Sequence, residues 1–158
     1  MGILIKFSKR RRWCVNENFN KGSYALRMMI DLAVNQGDDF VALKDIAKRQ
    51  EISKKYLEQI VSLMNKSGML KTSRGNQGGY RLLRSADKYT VGEILRVTEG
   101  SLAPVACLEY DPVDCERAGE CTTLFVWRGL YKAVTDYLDS ITLQDIIEKN
   151  TVGNDYYI

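Results

Sequence analysis

Apolar residues recur at helical intervals from Ala25 onward: Ala25, Met28, Met29, Leu32 and Ala33 stand at offsets of 3, 4, 7 and 8, which is one helix face. That spacing predicts a first helix ending near Gly37, its methionines serving as core filler. Asp38-Asp39 then marks a polar turn, and Leu43, Ile46 and Ala47 open a short second helix, LKDIAKRQ. Ser53 is placed to cap a third, in which Leu57, Ile60, Val61 and Met64 bury one face and Gly68 supplies a left-handed stop. The opposite face offers Lys54, Lys55, Glu58, Gln59, Ser62 and Lys66. Met69–Ser73 and Tyr80–Arg84 read as strands flanking Arg74-Gly75-Asn76-Gln77-Gly78-Gly79, a hairpin loop whose three glycines permit positive φ. Thr90-Val91-Gly92-Glu93 is a capping box opening a fourth helix, with Val91, Ile94 and Leu95 inward and Gly100 as its stop.

Beyond Gly100 the periodicity is lost, and Pro104 and Pro112 exclude a continuous helix up to Cys121. Then Leu124, Trp127, Tyr131, Val134, Leu138 and Ile141 alternate three and four residues apart, a heptad seam that requires a partner helix, from the same chain or, as expected for a DNA reader, from a second copy. Thr142-Leu143-Gln144-Asp145 resembles a further helix start, and the residues after 150 read as a loose tail. The expected fold is therefore mainly α with a small β-hairpin: a winged helix-turn-helix domain followed by a long C-terminal dimerisation helix. Its expected divisions are a basic extension (1–18), the winged-helix domain (19–100), a cysteine loop (101–121), the dimerisation helix with a short successor (122–150) and the tail (151–158).

Two helices joined around Glu51-Ile52-Ser53, the second with a polar and cationic free face, form a helix-turn-helix pattern. An ordinary helical hairpin with a solvated face has the same pattern. A β-hairpin directly after the second helix favours the DNA-binding reading, because it makes a wing whose Arg74 can enter a narrow minor groove. A phosphate-cradling glycine loop is the weaker alternative, since there is no G-x-x-x-x-G-K-[ST] and no strand-to-helix context.

Charge divides the chain. Residues 1–100 carry 19 Lys/Arg against 10 Asp/Glu, net +9, and residues 101–158 carry 4 against 10, net −6. A basic head suits a polyanion. The four cysteines with no histidine suit neither a secreted disulfide scaffold nor a histidine-containing zinc finger. The leader MGILIKFSKRRRWC reverses the order of a signal peptide, and no stretch approaches the ~20 apolar residues of a membrane span, so a cytoplasmic protein without membrane contact is expected. Catalysis is not expected, for lack of a histidine or a paired-carboxylate constellation. Cys107, Cys115 and Cys121 lie in one acidic stretch, and thiolates favour zinc, copper(I) and iron-sulfur clusters. Zinc usually takes four protein ligands in a closed site and stands as the structural alternative.

KGSYALRMMIDLA, then LKDIAKRQEISKKYLEQIVSLMNKSGMLKTSRGNQGGYRL, then VGEIL, the three cysteines and WRGLYKAVTDYLDSITLQDI resemble the Rrf-type winged-helix transcription regulators over residues 19–147. The likeness is to the iron-sulfur cluster regulator (IscR-like) branch. It implies a dimeric DNA-binding regulator, expected as a repressor, acting on a double-stranded operator. Lys55, Tyr56, Glu58 and Gln59, with Lys54 beside them, are then the DNA-facing start of the recognition helix, and Arg74, with Gly75 and Gln77, is the wing-tip contact. Cys107, Cys115 and Cys121 become ligands of an iron-sulfur cluster, expected as 2Fe-2S with 4Fe-4S the alternative.

Two features depart from the pattern. A histidine three positions after the last cysteine can complete the cluster in that branch, whereas this chain has Leu124. Asp114, Glu116 and Glu120 are nearby acidic candidates for the fourth ligand, and Ser23 occupies the position where a related branch supplies one from the other subunit. The segment up to about Val15 precedes the usual family start; it carries Lys9-Arg10-Arg11-Arg12 and Cys14, the latter not expected as a ligand. Some relatives lack a cluster, which leaves a second reading: a repressor controlled by a regulatory protein partner or by cysteine thiol oxidation.

Overall fold

A computed structural model describes residues 20–37, 39–75 and 78–151. The elements run α1 (Asn20–Asn35), α2 (Leu43–Gln50), α3 (Lys54–Lys66), β1 (Leu70–Ser73), β2 (Gly79–Leu82), α4 (Val91–Glu99), α5 (Leu124–Asp139) and α6 (Leu143–Thr151), with short 3-10 turns between. The expected start and stop signals hold. Ser53 Oγ accepts a hydrogen bond from the Tyr56 N–H, Thr90 Oγ1 accepts one from the Glu93 N–H, and Gly68 and Gly100 have φ of 72° and 83°. The Glu93 side chain is engaged elsewhere, by the Arg84 guanidinium at 2.6 Å.

Ala25, Met28, Met29 and Leu32 of α1 are fully buried against Ile46 of α2, Leu57, Ile60 and Met64 of α3, and Ile94 of α4. Burying each large apolar side chain stabilises the fold by about 1.5–3 kcal/mol, so this interior holds the four helices of the head together. Tyr89 lies wholly inside; its hydroxyl donates to the Met69 carbonyl at 2.7 Å and accepts from the N–H groups of Leu83 and Arg84. A buried phenol needs such partners, and here they tie the start of β1 to the end of β2.

The strands are antiparallel, with Leu70 opposite Leu82 and Ser73 opposite Gly79. Tyr80 also exchanges two 2.9 Å backbone hydrogen bonds with Val41, which anchors the hairpin to the segment before α2. Gly79 permits this approach, since a Cβ there would lie 2.4 Å from the Val41 carbonyl oxygen. Of the three loop glycines, positive φ belongs to Gly75 (110°), while Gly78 and Gly79 are required by close backbone neighbours.

α5 packs on α4, and the Arg96 guanidinium holds Asp139 through two 2.7 Å hydrogen bonds. The seam expected to meet another helix is largely used within the chain. Leu124 is buried, and Tyr131, Val134, Leu138 and Ile141 are half-buried, while Trp127 stays exposed. The outward apolar stripe is instead Val126, Leu130, Ala133 and Tyr137, with Phe125 beside it at 75% exposure. Both stripes have heptad spacing and lie roughly 100° apart round the helix, so periodicity alone cannot say which turns inward. α6 returns to the head: Leu143 is fully buried in the same core, and its N–H bonds the Tyr89 carbonyl at 3.0 Å.

Candidate nucleic-acid interface and cysteine loop

α2 is capped by Glu51, a non-glycine residue with φ 54° and ψ 39°, and only Ile52 and Ser53 separate it from the start of α3 at Lys54. This tight turn is held from α1. The Asp31 carboxylate, whose side chain is 2% exposed, receives Arg49 at 2.5 Å and Gln50 Nε2 at 2.9 Å, and Arg27 donates to Gln50 at both its side-chain and backbone oxygens. A buried carboxylate surrounded by donors keeps α2 in one orientation.

Lys54, Lys55, Glu58 and Gln59 stand exposed on α3, while Tyr56 is half-buried and packs edge to face on Tyr24 with ring centroids 5.4 Å apart. Lys54 and Glu58 form an exposed ion pair at 3.6 Å. A cleft of about 370 Å³ separates α3 from the wing and is lined by Lys54, Glu58, Ser73, Gly75 and Gly78, with Leu43 and Lys44 of α2. On the other flank a groove of about 540 Å³ runs between α3 and the start of α1, lined by Lys55, Tyr56, Glu58, Gln59 and Lys21. The fold thus brings Lys54, Glu58 and Gly75 to one cleft, and Lys55, Tyr56, Glu58 and Gln59 to the neighbouring groove. Arg74 is exposed at the start of the wing loop, and Gln77 lies outside the described residues. Lys21 and Lys44 add a cation to each flank. Neither stood out in the sequence, because an isolated lysine outside the third helix carries no pattern.

The cysteine loop begins at Gly100. Cys107 is half-buried in a 3-10 turn (Ala106–Leu108) beside the buried Leu108, and Cys115 and Cys121 are exposed; all three are free thiols. The Thr123 hydroxyl, 3.6 Å from Cys121 Sγ, and nearby backbone N–H groups hold the Cys121 thiol below its usual range. Among the described residues no three His, Cys, Asp or Glu side chains are grouped closely enough to hold a metal ion. The donors therefore suit a thiophilic centre in kind, and holding one requires the loop to gather them. Leu124, where the resemblance expects a histidine, is buried and apolar and offers no donor. Cys14 and Lys9–Arg12 lie outside the described residues.

A helix-turn-helix with an anchored wing, flanked by cationic grooves, is the architecture of a DNA reader, and comparison with known proteins decides its lineage. Residues 19–149 match the Rrf2 family, described as iron-dependent transcriptional regulators. The chain belongs to the Rrf2 family. It is 35% identical over 135 residues to the HTH-type transcriptional regulator IscR of Pectobacterium atrosepticum, covering 85% of this chain and 81% of that one. Among solved structures it is similar to CymR, the global cysteine regulator of B. subtilis, at 40% identity and a TM-score of 0.66, covering 82% and 95% of the two chains. IscR of T. potens is similar at 39% identity and the same TM-score, covering 83% and 85%. The Rrf2 relationship makes this protein a DNA-binding transcriptional regulator and not an enzyme. Among the described residues no helix is long and apolar enough to cross a membrane.

Proposed function

We propose that this Rrf2 protein is a cytoplasmic, homodimeric repressor that reads a pseudo-palindromic operator with α3 and the wing, under the control of an iron-sulfur cluster. Cys107, Cys115 and Cys121 would hold the cluster, most readily 2Fe-2S, which supplies a centre whose presence or oxidation state reports the redox or iron status of the cell. The observation that carries this reading is the placement of three free thiols on the single loop joining α4 of the head to α5. Ordering such a loop can bias the spacing of two DNA-reading heads. The exposed stripe Val126, Leu130 and Tyr137 supports dimerisation through α5, and a dimer matches two half-sites. Freshly purified anaerobic protein is tested by its absorption spectrum with iron and sulfide analysis. Visible bands with iron and sulfide in near-equal amounts support the cluster; colourless, iron-free protein after reconstitution overturns it.

A second reading is favoured by the likeness to CymR. In it the protein carries no cluster and is controlled by a protein partner or by thiol oxidation. Operator binding by colourless protein that changes on oxidation, or on addition of the partner, distinguishes it.

A further inference from the structure

Glu99 ends α4 and is the last residue before Gly100 and the cysteine loop. Its half-buried carboxylate accepts a hydrogen bond from the Gly22 N–H, in the first turn of α1. The first N–H groups of a helix lack intrahelical partners, and a carboxylate there is favoured by both the hydrogen bond and the helix dipole. The contact is close. A Cβ on buried Gly22 would lie 2.4 Å from Leu95 Cδ2 and 3.1 Å from Glu99 Oε1, so a side chain there would displace the side chains of Leu95 and Glu99. Two residues along α1, Tyr24 meets Tyr56 in the first turn of α3, beside the Ser53 cap. Arg27, one turn from Tyr24, stands 5.6 Å over its ring and bonds Gln50 at the end of α2. The start of α1 therefore braces the helix-turn-helix on both its helices. Burial first, and then the Glu99 charge, raises the Tyr56 hydroxyl above its ordinary range, which puts Glu99 within electrostatic reach of α3.

We infer that Glu99 is a positioning residue for DNA recognition: by holding the N-terminus of α1 it sets where Tyr24 braces Tyr56, and so the angle at which α3 meets DNA. This rests on α3 being the DNA-reading helix. A movement that turns the end of α4, as ordering of the adjoining loop would, acts first on this contact.

The test uses the full chain and the duplex that the wild type selects from a randomised pool, with an unrelated duplex of equal length as reference. Glu99→Ala lowers affinity for the selected duplex roughly tenfold and leaves the reference within about twofold, since misplacing α3 costs base contacts while phosphate attraction persists. Glu99→Gln, which keeps an acceptor for the Gly22 N–H, retains most of the affinity and serves with Tyr24→Ala if Glu99→Ala does not fold. Tyr24→Ala repeats the selective loss, and the double variant falls no further than the worse single, because both interrupt one route. Multiplying losses, or equal losses on both duplexes by a protein of wild-type stability, overturn the inference. Lys55→Ala with Gln59→Ala separates the two levels. If that pair leaves the selected duplex bound as before, the reading of α3 fails and the inference with it; if it weakens binding while Glu99→Ala does not, the inference alone fails.

Discussion

Asp31 is a buried carboxylate on α1 whose partners, Arg49 and Gln50, come from the end of α2. Removing it leaves the charge of Arg49 without its partner, and because Arg49 is itself 39% exposed, water recovers part of the loss. Asp31→Ala should therefore destabilise the fold by about 2 kcal/mol, read as a lower urea midpoint with unchanged m-value. On the DNA side, Arg74→Ala should weaken operator binding by ~1 to 3 kcal/mol as a groove contact, whereas Lys55→Ala should weaken all duplexes alike and reduce the salt slope by about one. Unaltered binding by the Arg74 and Lys55 double variant would reject both assignments. At this scale the local chemistry was legible: Ser53, Thr90, Gly68 and Gly100 act within a few residues of themselves, and they cap and stop helices as their types require. The positive φ of Glu51 was not legible, because no glycine marks it.

α5 shows what an element's own pattern leaves open. Its heptad seam is half-covered by the chain itself, and a second stripe faces outward. Charged residues at Leu130 and Tyr137 should dissociate the proposed dimer in sedimentation while leaving the monomer folded, because they act on an exposed face. Charges at Tyr131 and Val134 should instead lower the stability of the monomer, and the opposite outcome for the two pairs would return the interface to the original seam. The Arg96–Asp139 pair gives the packing of α5 on α4 a dependence on pH. Arg96 holds the Asp139 carboxyl below the usual carboxylate range. A depressed folded pKa adds stability that is present above the unfolded value, about 3.9, and is lost as pH falls through the folded one. Both side chains are more than a third exposed, so the contribution is screened to at most about 1 kcal/mol. Asp139→Asn should lower the urea midpoint slightly at pH 7, and its difference from wild type should begin to shrink only as pH falls below about 4, vanishing once pH is under the depressed folded value.

For the whole molecule, the proposed switch requires the loop between α4 and α5 to change the relation of two DNA-reading heads. Cluster-bound and cluster-free protein should then differ in operator affinity by roughly 1 to 3 kcal/mol, the ordinary scale of coupling between sites. Alanine at Cys107, Cys115 or Cys121 should abolish the visible absorbance and mimic the cluster-free form, and Cys14→Ala should do neither. Equal operator affinity of the two forms would reject the sensor even in a protein that binds DNA. The sequence by itself determined the helices of the head, the hairpin, the capping residues and the exposed residues of α3, because each depends on periodicity or on chemistry a few residues away. It also marked the lineage through the run from Leu43 to Leu82 and the three cysteines. Only the tertiary structure decided which face of α5 turns inward, that α6 completes the core of the head, and that Lys21 and Lys44 flank α3. It alone showed that Glu99 grips the start of α1. Those outcomes depend on contacts between residues distant in the chain, which no local spacing records.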